Sequence, residues 1–234
     1  MTSRQIISKI RARLSQQFPN PRRSYAQDGE DLVLERLITK ASPGFYVDIG
    51  AHHPFRFSNT YLFYRKGWKG LAVDPAPGFA RHYRKRRPRD IVIEAGVGNT
   101  DSSMTYYQFD EPALNTFSPE EASLKNKPPY RLIGTAEVQI KRLSALLDQH
   151  LPCDQTIDFM TIDAEGFEWE ILLSNNWEKY RPKILLVEML RQNLLSFDQC
   201  RTTSYLVSQG YVPFCKVYNS SFFMLNQDMV HPEC

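Results

Sequence analysis

Four acids, each closing a short apolar run, are the first residues in this sequence that suggest chemistry. They stand in Val47-Asp48-Ile49-Gly50, in Leu71-Ala72-Val73-Asp74-Pro75, in Phe159-Met160-Thr161-Ile162-Asp163-Ala164-Glu165-Gly166, and in Ile184-Leu185-Leu186-Val187-Glu188. A β-prone run that stops at an acid and gives way to an amphipathic stretch reads as a buried parallel strand feeding a helix. In an open α/β sheet such strand ends converge on one edge, and ligands bind just beyond it. Carboxylates gathered there suit a hydroxylated or cationic ligand, or proton transfer. A single acid at a helix start is explained as well by capping of free amides. Four at the ends of four such strands point to a site.

The turn after the first of these strands narrows the ligand. Gly50 is its single usable glycine, and His52, His53 and Pro54 follow. A dinucleotide fingerprint needs three glycines to bring backbone against two phosphates. A nucleoside with an amino-acid tail needs less: one close turn, amides for its carboxylate, and one acid for its ribose hydroxyls. Asp74, 24 residues beyond Gly50, suits the ribose. An ammonium and a sulfonium favour acidic surroundings. S-adenosylmethionine meets that description.

The elements that must position these residues follow from the rest of the chain. At 234 residues it is one large domain, or one domain with an arm, and a net charge of +3 is too small to imply a nucleic-acid binder. Cys153, Cys200, Cys215 and Cys234 have no pairing or metal-finger spacing, so reduced thiols and a cytoplasmic location are expected. No apolar run is long enough to span a membrane. Residues 1–23 form a basic arm with Ile7, Ile10, Leu14 and Phe18 at helical spacing, a helix for docking or, less simply, for peripheral membrane contact. Residues 24–234 form the domain. A helix opens after Ser24-Tyr25-Ala26-Gln27-Asp28-Gly29-Glu30-Asp31, another at Ser58, and a third with a basic face spans Gly78 to Arg87. Ile91 to Ala95 is a further strand. An inserted hairpin at about 103–141 pairs Ser103–Phe109 with Ala136–Ile140 around a mobile, Pro-rich loop. Tyr211–Tyr218 and Ser221–Leu225 make a closing antiparallel hairpin.

Several blocks in this order resemble the FkbM-type methyltransferases, a family of class I, S-adenosylmethionine-dependent enzymes acting mostly on hydroxyl oxygens. The blocks are Ser24-Tyr25-Ala26-Gln27 with Gly29-Glu30-Asp31-Leu32, Val47-Asp48-Ile49-Gly50-Ala51, Ser58-Asn59-Thr60, Gly67-Trp68-Lys69-Gly70 leading to Asp74-Pro75, and Ile162-Asp163-Ala164-Glu165-Gly166-Phe167-Glu168. The resemblance implies an α/β, Rossmann-like fold: a mostly parallel sheet with a closing antiparallel hairpin and helices on both faces. It implies that Asp48, Gly50 and Ala51 wrap the methionine part of the cofactor, with Asn59 in an adjoining block. It places Asp74 and Pro75 at the ribose, Gly96 and Val97 beside the adenine, and Asp163 and Glu165 beside the transferred methyl. His52-His53-Pro54 departs from the family, where many members read Asn-x-Gly.

Methylation of a hydroxyl requires alignment and a base. His53, with His52 beside it, is one candidate base, since imidazole titrates near neutral pH. Asp163 and Glu165 are the others. A divalent cation on Asp163, Glu165 and Glu188 or a histidine is a third way to lower the acceptor's pKa, although no diagnostic metal spacing is present. The run Arg81-His82-Tyr83-Arg84-Lys85-Arg86-Arg87-Pro88-Arg89 reads first as a solvated helix face, second as a site for a phosphorylated or nucleotide-linked substrate, and weakly as a nucleic-acid surface. The expectation is O-methylation of a sugar or glycan-linked hydroxyl. A small-molecule natural product as acceptor and a non-catalytic cofactor-binding scaffold are the alternatives.

Overall fold

The computed structural model describes residues 22–226, so most of the arm, and the last eight residues, lie outside the described residues. In chain order the elements are α1 (Glu30–Leu37), β1 (Phe45–Ile49), α2 (Tyr61–Arg65), β2 (Lys69–Asp74), α3 (Phe79–Arg86), β3 (Ile91–Glu94), β4 (Gly96–Val97), β5 (Ser102–Phe109), α4 (Pro119–Lys125), β6 (Leu132–Lys141), α5 (Leu143–His150), β7 (Phe159–Ile162), α6 (Glu168–Leu173), β8 (Ile184–Glu188), α7 (Arg201–Ser208), β9 (Tyr211–Val217) and β10 (Ser220–Leu225).

The main sheet has seven strands in the order β3-β2-β1-β7-β8-β10-β9. Strands β1, β2, β3, β7 and β8 run parallel, and β10 lies antiparallel between β8 and β9. This is the Rossmann-like sheet with a closing hairpin that the sequence leads one to expect. The central strands β1, β7 and β8 are buried on both faces, so they read as nearly continuous apolar runs rather than alternating ones. Strand β1 shows how the faces divide. Phe45, Val47 and Ile49 pack with Leu143, Leu146 and Leu147 of α5, Ile171 and Leu172 of α6, and Leu206 of α7. Tyr46 turns the other way, onto Leu34 of α1 and Phe63 of α2. Ala72 and Val92 meet Phe79 and Tyr83 of α3 on that second side.

The insertion forms its own three-stranded sheet, β4-β6-β5. Its antiparallel pair is longer than the sequence suggests, because β6 begins at Leu132. The intervening segment is not a bare loop. Ser118 accepts a hydrogen bond from the Glu121 amide at 3.2 Å, and with Pro119 following it starts α4. Among the described residues no helix is long and apolar enough to cross a membrane.

Candidate active site

The site is built where the carboxyl ends of β1, β2 and β7 meet. Gly50 leaves β1 at φ 82°, and its amide and that of Ala51 donate to the Val73 carbonyl at 2.9 and 3.1 Å. The Asp163 amide donates to the Ile49 carbonyl at 3.0 Å, which locks the end of β7 to the same turn. The chain then enters His52 at φ 48°, a left-handed conformation uncommon for any residue but glycine and least unfavourable for Asn, Asp and His. This aims the His52 amide at Asp74 Oδ2, at 2.8 Å. Asp74 Oδ1 accepts from the Ala76 amide at 2.9 Å. Burial pushes the Asp74 carboxyl up to about 6, against the pull of those two amides.

Beyond β7 the turn is held by its own acids and by the insertion. Glu165 (φ 54°) and Gly166 (φ 100°) are both left-handed. Glu168 Oε1 accepts from the amides of Ala164 at 2.8 Å and Gly166 at 3.1 Å. Thr116 Oγ1 donates to the Glu165 carbonyl at 2.8 Å, and Lys125 Nζ lies 2.5 Å from Glu165 Oε2. Arg191 pairs with Glu121 of α4, and Arg56 reaches Glu111 Oε2 at 2.7 Å. The insertion is thereby clasped over the strand ends.

Together these parts enclose a cleft of about 720 Å³, its open mouth included. Asp74 and Pro75 line one side, and Asp163 and Glu165 the other. Tyr106, Phe117 and Phe167 wall it beside Ala95 and Val97, with ring centroids 4.8 and 5.5 Å apart along that aromatic row. Three non-glycine residues with positive φ, His52, Phe57 and Glu165, all face the cleft, the kind of strain that collects at ligand sites.

Carboxylates crowd the β7 side. Asp163, Glu165 and Glu188 offer oxygens within 4.8 Å of one another, close enough to hold one cation. Burial raises the Asp163 carboxyl well above its ordinary range, and the charges of Glu165 and Glu168 add to this. The Glu188 carboxyl is pushed up to about 11, by burial first and then by Asp163, Glu165 and Glu168. Its Oε2 is buried without a hydrogen-bond partner, and so is Nε2 of His52. Burial pushes the His52 imidazole down to about 4, so it is neutral at physiological pH.

Not every residue singled out in the sequence faces the cleft. Gly50, Asp74, Pro75, Val97, Asp163 and Glu165 line it. Asp48 does not, because it follows Tyr46 onto the opposite face of β1. There it accepts a hydrogen bond from Thr60 Oγ1 at 2.6 Å, close to buried Arg87. Asn59 is also behind the sheet edge, donating to Thr161 Oγ1 at 3.0 Å, and Ala51 packs in the α3 core. Gly96 abuts Phe117, where a β-carbon would come within 2.8 Å of its ring. His53 turns outward: its Nδ1 accepts from the Arg56 amide at 3.0 Å, and its ring lies 4.4 Å from Phe55 and 5.2 Å from His82. The neighbouring His52 takes the place in the lining instead, since the left-handed turn between them reverses the side-chain directions.

The sequence reading missed Gln27, Asn115 and Phe167, which also line the cleft. The signal for Gln27 was present in the acidic block around it. Asp31 accepts from Ser24 Oγ at 2.6 Å and from the Tyr25 amide at 2.8 Å, and Glu30 Oε2 from the Asp28 amide at 2.9 Å. These acids fold the 24–28 segment back so that Gln27 meets the cleft.

The family model described as the methyltransferase FkbM domain matches residues 48–213. No curated protein matches the sequence. Among solved structures, precorrin-6y C5,15-methyltransferase from Geobacter metallireducens GS-15 is similar at 12% identity and a TM-score of 0.42, over 89% of this chain and 93% of that one. An O-methyltransferase from Bacillus cereus in complex with SAH is similar at 12% identity and a TM-score of 0.41, over 95% of this chain and 90% of that one.

Proposed function

The chain belongs to the FkbM methyltransferase family, and on that premise we propose that it uses S-adenosylmethionine to methylate a hydroxyl of a sugar or glycan-linked acceptor. The observation that carries this reading is one cleft with Asp74 on one side and the Asp163–Glu165 turn on the other. A carboxylate has about four lone-pair positions. Two backbone amides occupy part of Asp74, which leaves acceptors for ribose hydroxyls. The row Tyr106, Phe117 and Phe167 beside Val97 suits a flat base. The orphaned Nε2 of His52 and the acids at the β7 turn suit the polar, cationic remainder.

When bound, the cofactor supplies an electrophilic methyl carbon on a sulfonium centre. The chain's own task is to orient the acceptor and take its proton. Orientation is worth roughly 7–11 kcal/mol, and a positioned base contributes roughly 10²–10⁴-fold. This reading assigns the base to the Asp163 carboxyl, which lines the cleft and is raised by burial and then by the charges of Glu165 and Glu168. Glu165 is occupied by Lys125. His52, lowered to about 4, serves better as a neutral hydrogen-bonding group than as a base. Gln27 at the lining and the half-exposed Phe57 ring supply an amide for hydroxyls and a flat surface for a sugar's C–H face.

The test is calorimetric titration with S-adenosylmethionine and S-adenosylhomocysteine on wild type and Asp74→Ala. An acceptor screen by mass spectrometry follows, with and without Mg²⁺. Micromolar binding that weakens at least tenfold in the variant, followed by methyl addition to a sugar hydroxyl, supports the proposal. Failure of folded wild type to bind either compound overturns it.

A further inference from the structure

The basic run on α3 divides sharply once its residues are placed. Arg87 is fully buried, Arg84 donates to the Val92 carbonyl at 2.7 Å, and Arg89 donates to the Tyr64 carbonyl. These three cations are structural. Arg81, His82, Lys85 and Arg86 are all exposed. At 100° per residue they span one arc of the helix, and among the described residues none of them has a carboxylate partner. The nearby acids are already used: Glu94 accepts from the amides of Gly78 and Ala80 at 3.0 and 2.9 Å, Asp90 pairs with Arg87, and Glu111 pairs with Arg56.

This face joins the rim of the cleft through the turn at residues 52–57. His53 lies 5.2 Å from His82, ring to ring, and the Arg86 guanidinium carbon is 5.9 Å from the Phe55 ring. Phe57, at the other end of the turn, lines the cleft with the Arg56 guanidinium 4.1 Å above its ring. The His53 imidazole is held below its ordinary range first by burial and then by the neighbouring charges of His82, Arg56 and Arg86. Unpaired cations beside two exposed aromatic rings form a surface for phosphate oxygens flanked by a ring or sugar.

We propose that the exposed face of α3, with the His53–Phe57 turn, binds the phosphate of the acceptor, so that the methylated hydroxyl belongs to a phosphorylated or nucleotide-linked sugar. The inference rests on the sugar-acceptor reading above and names its substrate class.

The experiment is calorimetric titration of the full chain with UDP-glucose, inorganic pyrophosphate, glucose and a single-stranded oligonucleotide, at low and at physiological salt. It is run on wild type, on Arg81→Glu/Arg86→Glu and on Lys85→Glu, with S-adenosylhomocysteine titrated alongside. The expected result is UDP-glucose binding several-fold tighter than pyrophosphate, weakened at least tenfold in the double variant, with S-adenosylhomocysteine binding unchanged and glucose silent. Lys85→Glu gives a smaller loss in the same direction if the double variant is poorly folded. UDP-glucose binding that is absent, or equal in wild type and variants, overturns the proposal. So does equal affinity for pyrophosphate, which assigns the face to a free anion, and so does tighter binding of the oligonucleotide through the same residues. If UDP-glucose binding behaves as expected while S-adenosylhomocysteine does not bind, the phosphate site stands and the methyl-donor reading fails.

Discussion

A β-carbon at Gly50 would stand 1.7 Å from the carbonyl oxygen of Asp163. With the Asp163 amide bonded to the Ile49 carbonyl, this close approach ties the first strand turn to the acid turn at the end of β7. The two strands are neighbours in the parallel sheet, and the missing side chain lets the turn after β1 pass directly over the end of β7. At φ 82° the position also lies where only glycine is unstrained. Gly50→Ala must therefore push β7 away or rebuild the turn, at a cost of about 3 kcal/mol. The check is the urea midpoint, together with S-adenosylhomocysteine titration of whatever remains folded. A variant with wild-type midpoint and binding would show that the turn yields freely.

Arg87 supplies the second prediction. Its guanidinium is buried and donates to Asp90 Oδ2 at 2.7 Å, Tyr46 Oη at 2.6 Å, Thr60 Oγ1 at 3.0 Å and the Pro54 carbonyl at 3.3 Å. Through Thr60 it also supports Asp48, which burial pushes up to about 6. Removing the cation strands two buried acids, so Arg87→Met is expected to lose about 3–5 kcal/mol. Arg87→Lys should rescue little of this, because one ammonium cannot match a planar fork that reaches these groups and, at 3.3 Å, Ser58 Oγ as well. Thermal unfolding of both variants decides the matter: a lysine variant close to wild type would contradict the account.

Arg87 also shows where sequence reading ran out. In the run from Arg81 to Arg89, spacing alone does not say which cation is interior, and the buried one is fixed by Asp90 three residues later and by a tyrosine from β1. The strand-end acids were legible because parallel strands announce themselves as apolar runs ending at a turn. Which side of a strand an acid faces was not: Asp48 shares its period with Tyr46 and leaves the cleft, while Gly50 and Asp74 line it. The choice between His52 and His53 depended on a left-handed φ that histidine does not advertise. The helix α4 was signalled by Ser118-Pro119-Glu120-Glu121, but the prolines at 128 and 129 made the whole segment read as loop. Gln27 looked like part of a helix cap, and only tertiary packing brings it to the cleft.

Glu188 yields a stability prediction with a definite sign. Its folded value of about 11 lies above the ordinary 4.5, so the folded state holds a proton that the unfolded state has released across that interval. The group's contribution is complete below its unfolded value and is lost as pH rises toward its folded one. Wild type should therefore lose stability between pH 5 and pH 9, with a slope of at most about 1.4 kcal/mol per pH unit from this group. Glu188→Gln keeps a neutral side chain of the same shape and should flatten that slope while matching wild type near pH 5. Urea unfolding in EDTA, across this range, compares the two. Parallel pH profiles for wild type and variant would mean that Glu188 ionises normally.

Asp74 predicts the opposite dependence for ligand binding. Its carboxyl, raised to about 6 by burial, contributes stability to the free protein that is present below 3.8 and lost as pH rises through about 6. Binding of a ribose needs the charged form, which accepts hydroxyl protons as well as the His52 and Ala76 amides. Lowering the pH from 7.5 to 5 leaves about one carboxyl in ten ionised. Affinity for S-adenosylhomocysteine should thus fall about tenfold, even as this acid's cost to the free fold disappears. Asp74→Asn should bind weakly at both pH values, because it keeps the size of the side chain but offers the two amides only one oxygen. Calorimetry at the two pH values separates the ribose contact from a general loss of structure. Equal affinities for wild type at pH 7.5 and pH 5 would remove Asp74 from the binding site, whereas a drop seen in wild type and missing in Asp74→Asn assigns the pH dependence to this one carboxylate.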